Sequence, residues 1–214
     1  MALLPLAVAL TALALFALAN MLYQAFKAGA WAQLRVSESI LGPFLCLYQE
    51  SEGPLRAQQV SGLVNLLVDA GLVHCSNRRS VRILYLRQAP PGSPPATTDK
   101  TYVSYVFKHT HQLSSPEDVA KYRQWLSHLS IVKSGDVKVG LLPAALCLRL
   151  QLPFARNYDW SAWVVTWRAL PSLAQAAAQR QPNNIQGQGC MALHEPESQI
   201  LTVAMPVTKS CSWT

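Results

Sequence analysis

The sequence predicts an α+β domain, in which helices pack on an antiparallel sheet, behind one hydrophobic N-terminal segment. Two observations predict the domain: short apolar runs typical of strands alternate with amphipathic helices, and the order strand, helix, strand, strand occurs twice along the chain. A third observation separates the N-terminal segment from the domain. All 29 charged residues of the 214-residue chain lie at or after Lys27, so the first 26 residues carry no charge.

The composition excludes several classes of protein. A chain with 50% hydrophobic residues is too apolar to be intrinsically disordered, and 5 cysteines in 214 residues are too few for a disulfide scaffold. The net charge of +7 is not accompanied by an aromatic-interleaved RNA-binding motif, so we expect no nucleic-acid partner.

Residues 1–26 are predicted to form a transmembrane anchor. A bilayer core of about 30 Å requires about 20 helical residues, and the apolar run is long enough to supply them. Pro5 falls in the first turn, where it is tolerated. Tyr23 and Trp31 are expected near the lipid headgroups, where amphipathic rings are favoured.

A cleaved signal peptide is the alternative interpretation, because Ala17-Leu18-Ala19 has the small-x-small form of a cleavage site. A signal peptide also needs a basic N-terminal region, which is absent. The first cations, Lys27 and Arg35, instead lie on the C-terminal side. The positive-inside rule therefore favours a retained anchor with a lumenal N-terminus and a cytosolic domain.

The predicted organisation after the anchor has three parts. They are a juxtamembrane linker over residues 27–40, a folded domain over 41–208 and a short tail over 209–214.

The first strand–helix–strand–strand unit opens with residues 42–49 (GPFLCLYQ), an apolar and aromatic run that predicts a strand. Apolar residues at helical spacing then predict a helix that ends at Gly71. Residues 81–88 and 102–109 predict two further strands, and four prolines between residues 88 and 100 predict a long loop.

A helix between the units is predicted to begin at Ser115-Pro116-Glu117-Asp118, which combines a Ser cap, a first-turn proline and two acids. The second unit contains a helix over residues 161–180, and Pro171 is expected to kink or split it. The remaining strands are predicted at 137–142, 145–152, 190–194 and 200–207, the last two as a hairpin.

Three stretches of the second unit carry a resemblance to a known family. They are VKVGLLPAALCLRLQLPF, SAWVVTWRALPSLAQAAAQR and CMALHEPESQILTVAMPV. Their order and spacing resemble the GyrI-like (AraC effector-binding) domain family, and GPFLCLYQESEGPL in the first unit fits the opening strand and turn. The resemblance implies duplicated strand–helix–strand–strand units. With a hydrophobic anchor in front, the chain is also similar to a member of this family that acts as a receptor in turnover of the endoplasmic reticulum (reticulophagy).

The resemblance further implies a ligand cleft between the two units. GyrI-like sites typically use a Glu in the first strand of the final hairpin to hold a cationic ligand, whereas this chain has Ala192 there, so we do not expect a cation to bind. Aromatic walls without charge suit a flat apolar ligand. The cleft candidates are Tyr48, Tyr105, Phe154, Tyr158 and Trp163.

Two segments match the bare aromatic-x-x-aliphatic spacing of an autophagy docking motif, residues 44–47 and 167–170. Neither has an acidic lead, and both fall on predicted core elements, so packing is the favoured interpretation. His109 and His111 lack a third metal ligand close in sequence, and a solvated strand end is favoured over a metal site. No catalytic constellation or cofactor motif is found.

A group of basic residues suggests a surface that binds anionic lipids. In the alternative interpretation, these charges lie at a solvated strand edge and prevent it from pairing with other chains. The candidates are Lys27, Arg35, Arg78, Arg79 and Arg82.

Three functions follow as hypotheses. The first is a non-enzymatic receptor or adaptor in the endoplasmic reticulum membrane, with a cytosolic domain and an autophagy-related protein partner. The second is a membrane-tethered module that binds an apolar small molecule. The third is a hydrolase acting on hydrophobic adducts, for which no acid or nucleophile–base pair can be named.

Overall fold

The computed structural model describes residues 3–52, 57–88, 100–109, 113, 115–154, 158–180 and 189–207. The helices are α1 (Leu3–Lys27), α2 (Ala57–Asp69), α3 (Pro116–Ser127), α4 (Ser130–Lys133), α5 (Tyr158–Val164) and α6 (Leu170–Arg180). The strands are β1 (Ser37–Leu41), β2 (Phe44–Glu52), β3 (Ile83–Gln88), β4 (Lys100–His109), β5 (Lys138–Leu142), β6 (Ala145–Pro153), β7 (Cys190–Glu195) and β8 (Ile200–Pro206). A 3₁₀ helix covers Cys75–Ser80, and a π-helical turn covers Val165–Ala169.

The strands form one antiparallel eight-stranded sheet in the order β1-β6-β8-β7-β3-β4-β2-β5. One unit consists of β2, α2, β3 and β4, and the other consists of β6, α5, α6, β7 and β8. The units join at the centre of the sheet, where β3 pairs with β7 and Tyr85 faces Ala192. The predicted α+β class and the duplicated unit are therefore confirmed, while the loop predicted over 88–100 lies almost wholly outside the described residues.

The sheet curls because two chain segments change partner at facing corners. β1 pairs with β6 and β2 pairs with β5, so the corner at Gly42-Pro43 meets the corner at Pro143-Ala144. Gly42 has φ +89°, and a Cβ placed on it would lie 3.0 Å from the Pro143 carbonyl oxygen. Glycine is thus required where the two corners approach most closely.

β1 lies mostly within residues 27–40, which the sequence predicts as a linker. The strand begins at Ser37, so the folded domain begins before residue 41. Its sequence, SESIL, contains two serines and a glutamate, which have weak strand preference. β1 is specified by pairing with β6, a contact more than 100 residues away that a local pattern does not reveal.

Both faces of the sheet are covered. The face inside the curl holds one buried cluster, whose members include Phe44, Cys46, Leu84, Cys147 and Met191. The outer face holds two clusters, one under α2, α3 and α4 and the other under α5 and α6. Ala192 on β7 packs against both outer clusters, so it marks the seam between the units.

Local helix signals behave as predicted. Gly71 has φ +71° after α2, and the Ser115 hydroxyl accepts from the Asp118 N–H at 3.1 Å at the start of α3. The helix continues through Pro171, which lies at the start of α6, and a π-helical turn precedes the proline. The Leu170 N–H donates to the Val165 carbonyl, a five-residue step that widens the turn just before the proline.

α1 is long and apolar enough to cross a membrane, and none of the residues in its most apolar stretch is buried by the rest of the protein. A signal sequence near the N-terminus meets the same criteria of length and composition. α1 closes with a Schellman motif at Gly29, in which the Gly29 N–H donates to the Phe26 carbonyl and the Ala30 N–H to the Ala25 carbonyl, each at 3.0 Å. Ala28 is buried in the outer cluster of the second unit. The end of α1 is therefore packed directly on the domain.

Candidate ligand cleft and the end of the domain beside α1

The candidate cleft is a row of outer-face side chains that crosses the seam between the two units. The sheet register pairs Tyr105 of β4 with Ile83 of β3, and Ile83 with His194 of β7. Phe154, which follows β6, packs on His194 with ring centroids 3.6 Å apart. Since directly paired residues lie about 5 Å apart, two of the predicted cleft residues, Tyr105 and Phe154, stand on opposite sides of the seam with Ile83 and His194 between them.

His194 is the titratable group at the centre of this row. It is only 4% exposed, and burial lowers its pKa to about 4, so the imidazole is uncharged at neutral pH. His194 lies two residues after Ala192 on β7, and therefore points to the same face of the sheet. The seam thus contains a small methyl group and a neutral imidazole, neither of which carries a charge that would hold a cation.

A cavity of about 210 Å³ adjoins the row on the first unit's side. It is lined by Leu72, Val73, His74, Asn77, Val81 and Tyr105. Burial raises the pKa of the Tyr105 phenol, so its hydroxyl remains protonated and can donate or accept a hydrogen bond. The volume is below the roughly 300–1,000 Å³ typical of drug-sized sites, so the cavity suits a small group.

The other three predicted cleft residues are not at the seam. Tyr48 packs with the inner cluster, on the face of the sheet opposite to Tyr105. Trp163 on α5 is 44% exposed and packs edge-on against Trp160 with ring centroids 5.8 Å apart. Tyr158 begins α5, but its side chain lies outside the described residues. Successive side chains of a strand point to opposite faces of the sheet, so Tyr48 lies on the wrong face for the cleft, whereas its neighbours on β2 face the cleft side.

Tyr48 lines a second cavity, of about 310 Å³, at the far end of the sheet. Glu50 in its wall contacts Lys100 at 2.5 Å and Lys138 at 3.3 Å. The hydrogen bond from Lys100 is the main cause of the lowered pKa of Glu50. These pairs are solvent-exposed, so they satisfy one another and contribute little stability.

The predicted basic residues divide into two groups. Lys27 ends α1 with its ammonium 4.7 Å from the Tyr23 ring centroid, and Arg35 is exposed shortly before β1. Arg82 precedes β3 and pairs with Glu197 in the β7–β8 turn at 3.5 Å. The side chains of Arg78 and Arg79 lie outside the described residues, although their backbone forms part of the 3₁₀ helix.

Arg168 joins the end of α1 to the second unit. Its guanidinium donates to the Gly29 and Ala32 carbonyls at 3.1 Å each, and also to the Ala30 carbonyl. Carbonyls that follow a helix terminus lack helical partners, so a cation with several donors satisfies them well. Arg168 lies in the π-helical turn, which is therefore held beside the segment that follows α1.

Sequence reasoning missed the roles of His194 and Arg168. His194 is an outward-facing position of a predicted strand, two residues from the singled-out Ala192, and the period-two rule was the available signal. Arg168 had no local signal, because its three acceptors lie more than 130 residues earlier.

The two docking-motif segments are held within the fold. Residues 44–47 pair with β4 on one side and β5 on the other. Residues 167–170 are helical, and Arg168 among them is bonded to the chain after α1. Neither segment is therefore available as an added strand. Within the described part of the chain, no group of three or more His, Cys, Asp or Glu side chains is placed to hold a metal.

No protein-family model and no curated protein matches the chain. Solved structures with a similar fold include an integron cassette protein from Vibrio cholerae, with 8% identity, a TM-score of 0.42, and 81% of this chain and 96% of that chain covered. The C-terminal domain of EcmrR has 7% identity and a TM-score of 0.38, with 81% and 96% covered. A hydrolase from Listeria innocua has 11% identity and a TM-score of 0.39, with 84% and 95% covered. Likeness at this level assigns no function.

Proposed function

We propose that the chain is a non-enzymatic, membrane-tethered module whose cleft binds a small, uncharged, largely apolar molecule. The carrying observation is the row of outer-face side chains at the seam, which contains the neutral His194 and ends at Tyr105, where Tyr105 lines a cavity of about 210 Å³. Small-molecule sites usually combine apolar walls with a few convergent polar groups, and this cavity has both, with polar groups prominent in its lining. Here the polar groups are the Tyr105 hydroxyl and the neighbouring His74 and Asn77 side chains.

The tether in this proposal is α1. The apolar stretch of α1 is not buried by the rest of the protein. The cations at and after its C-terminal end, Lys27 and Arg35, favour a cytosolic domain. A glycosylation acceptor placed after the last strand tests this orientation in cells. We expect it to remain unmodified, whereas its glycosylation would place the domain in the lumen.

Binding is tested with fluoroindole as an uncharged aromatic probe of about the right size for the cavity. The full chain is reconstituted in nanodiscs, and fluorine NMR line broadening of the probe is compared with that in empty nanodiscs. We expect broadening by the wild type and its loss in Val81→Phe, which fills the cavity. Tyr122→Phe is the matched control. Tyr122 lies on α3, where it packs against Phe107 of β4, and it does not line the cavity.

Equal broadening by the wild type and Val81→Phe would refute the cleft. A thermal melt of each variant shows whether the folded state is retained, and Tyr105→Phe supplies a second test that removes only one hydroxyl. If that hydroxyl bonds the ligand, its loss should weaken binding of a hydrogen-bonding probe such as indole about fivefold, since one hydrogen bond contributes about 1 kcal/mol.

A receptor or adaptor role in the endoplasmic reticulum membrane is the second candidate. It is favoured by the apolar α1 in front of the domain together with the sequence resemblance to the testis-expressed ER-phagy receptor. Because both docking-motif segments are part of the fold, an autophagy modifier would have to bind another surface. Co-purification of the full chain with such a modifier from detergent extracts would support this role. Its absence, with the probe still bound, would leave only the first proposal.

A further inference from the structure

Two tryptophans on the second unit are exposed side by side. Trp163 is 44% exposed and Trp167 is 70% exposed, and they are four residues apart on α5 and the π-helical turn. Residues at this spacing lie on one face of a helix. Single exposed apolar residues are common, but clustered aromatic rings on one face usually mark an interaction surface.

The position of this surface relative to α1 is fixed by Arg168. Trp167 is its immediate neighbour, and Arg168 bonds the carbonyls of Gly29, Ala30 and Ala32. α1 ends at Lys27, only two residues before the first of these carbonyls. If α1 spans a bilayer, the bonded segment lies where the hydrocarbon core gives way to water, and α5, which contacts α1, brings the two tryptophans close to that boundary.

The surroundings of this point have the chemistry of a membrane interface. The Phe26 and Trp31 rings lie 6.4 Å apart at the end of α1, and Trp31 is itself exposed. Lys27 and Arg35 add cations close to them in the sequence. Tryptophan and cationic side chains are both favoured at the headgroup level, on the cytosolic side in particular.

We infer that Trp163 and Trp167 insert into the headgroup layer of the membrane that α1 crosses, so that α5 and the π-helical turn lie against the bilayer. The lipid interface is the occupant because the surface is continuous with the end of the anchor, to which three hydrogen bonds hold it. This inference rests on the proposed role of α1 as an anchor.

The test uses the full chain in vesicles of phosphatidylcholine and phosphatidylserine, with bromine on the acyl chains near the headgroups. Bromine quenches only tryptophans that reach its depth, so fluorescence is compared with that in unbrominated vesicles. We expect Trp163→Phe/Trp167→Phe to lose about two thirds of the bromine-dependent quenching, since it removes two of the three interfacial rings and leaves Trp31. Trp125→Phe is the matched control, because Trp125 is 49% exposed on α3 of the domain and stacks on Phe107.

The outcomes separate the inference from the proposal on which it rests. Failure of the wild-type chain to float with the vesicles would refute the anchor. Flotation with unchanged quenching in the double variant would overturn the insertion of Trp163 and Trp167 and leave the anchor standing. Trp167→Phe alone, at a highly exposed position, guards against misfolding of the double variant. Chemical cross-linking in nanodiscs that depends on the two tryptophans and on protein copy number would show that the face binds a second chain, which would also overturn the inference.

Discussion

Burial of the uncharged His194 ring should make the domain less stable in acid. The pKa is 6.5 in an unperturbed chain and about 4 in the folded protein, so between these values the unfolded state binds more protons. Stability should therefore be greatest above pH 6.5 and should fall as the pH drops toward 4. With these two values, linkage gives a loss of about 2 kcal/mol between pH 8 and pH 5, and about 3 kcal/mol once both forms are protonated.

The assay is urea unfolding of the full chain in detergent micelles, followed by tryptophan fluorescence at a series of pH values from 8 to about 4.5. His194→Leu removes the titrating group and keeps an apolar side chain beside Phe154. Its stability at pH 8 can differ from that of the wild type, so the comparison concerns the slope with pH. We expect the wild type to lose about 2 kcal/mol more than the variant by pH 5.

Two results would refute this reasoning. If the free energy of unfolding depended on pH in the same way for the wild type and His194→Leu, protonation of His194 would not be linked to unfolding. A histidine NMR titration that gives His194 a pKa near 6.5 in the folded protein would show that burial does not oppose protonation of the ring. The loss attributable to carboxylates such as Glu50, whose pKa is lowered, appears below about pH 4.5 and is common to both proteins.

Three further predictions concern the seam, a corner and the thiols. Ala192→Glu should destabilise the domain by about 1–2 kcal/mol at pH 7 in urea unfolding, because it places an unpaired carboxylate at a partly buried position, and the difference from wild type should shrink near pH 4, where more of the acid is protonated. Gly42→Ala should cost about 1–2 kcal/mol, since φ is +89° there; Gly62→Ala on α2, where a Cβ meets nothing within 4 Å, should instead stabilise by about 1 kcal/mol. Cys75 is exposed and should react with iodoacetamide in the native state, whereas Cys46 is buried with a raised pKa and should react only on unfolding, as read by mass spectrometry. A destabilised Gly62→Ala or a rapidly labelled Cys46 would contradict the packing described.

The sequence predicts those elements whose stabilising signal is local. Ser115 before α3 and Gly71 after α2 act within one turn of the chain, and both are observed in those roles. Strands with alternating apolar residues are likewise recovered, because one face of each must be buried. β1 has no such signal, since its pairing partner β6 supplies what its own residues lack.

Which aromatic residues reach the seam is harder to predict from the sequence than the fold, for a reason of the same kind. Tyr105 and Phe154 reach the seam, whereas Tyr48 faces the inside of the curl and Trp163 faces outward. Aromatic composition alone does not tell which face a ring occupies, and a shift of one residue reverses that face. His194 carries the chemistry of the seam only because burial keeps it neutral, and burial depends on side chains from other strands.

The two units differ in what their helices do on the outer face of the sheet. In the first unit, the end of α2 and the 3₁₀ helix leave a cavity beside Tyr105. In the second unit, the π-helical turn places Arg168 against the chain that follows α1. A short segment separates the two sites: Phe154, which packs on His194, directly follows Pro153, and Gly29 packs so closely on the Pro153 ring that a Cβ placed on it would lie 2.8 Å from Cδ. The packing that holds the end of α1 therefore lies one residue along the chain from the row at the seam.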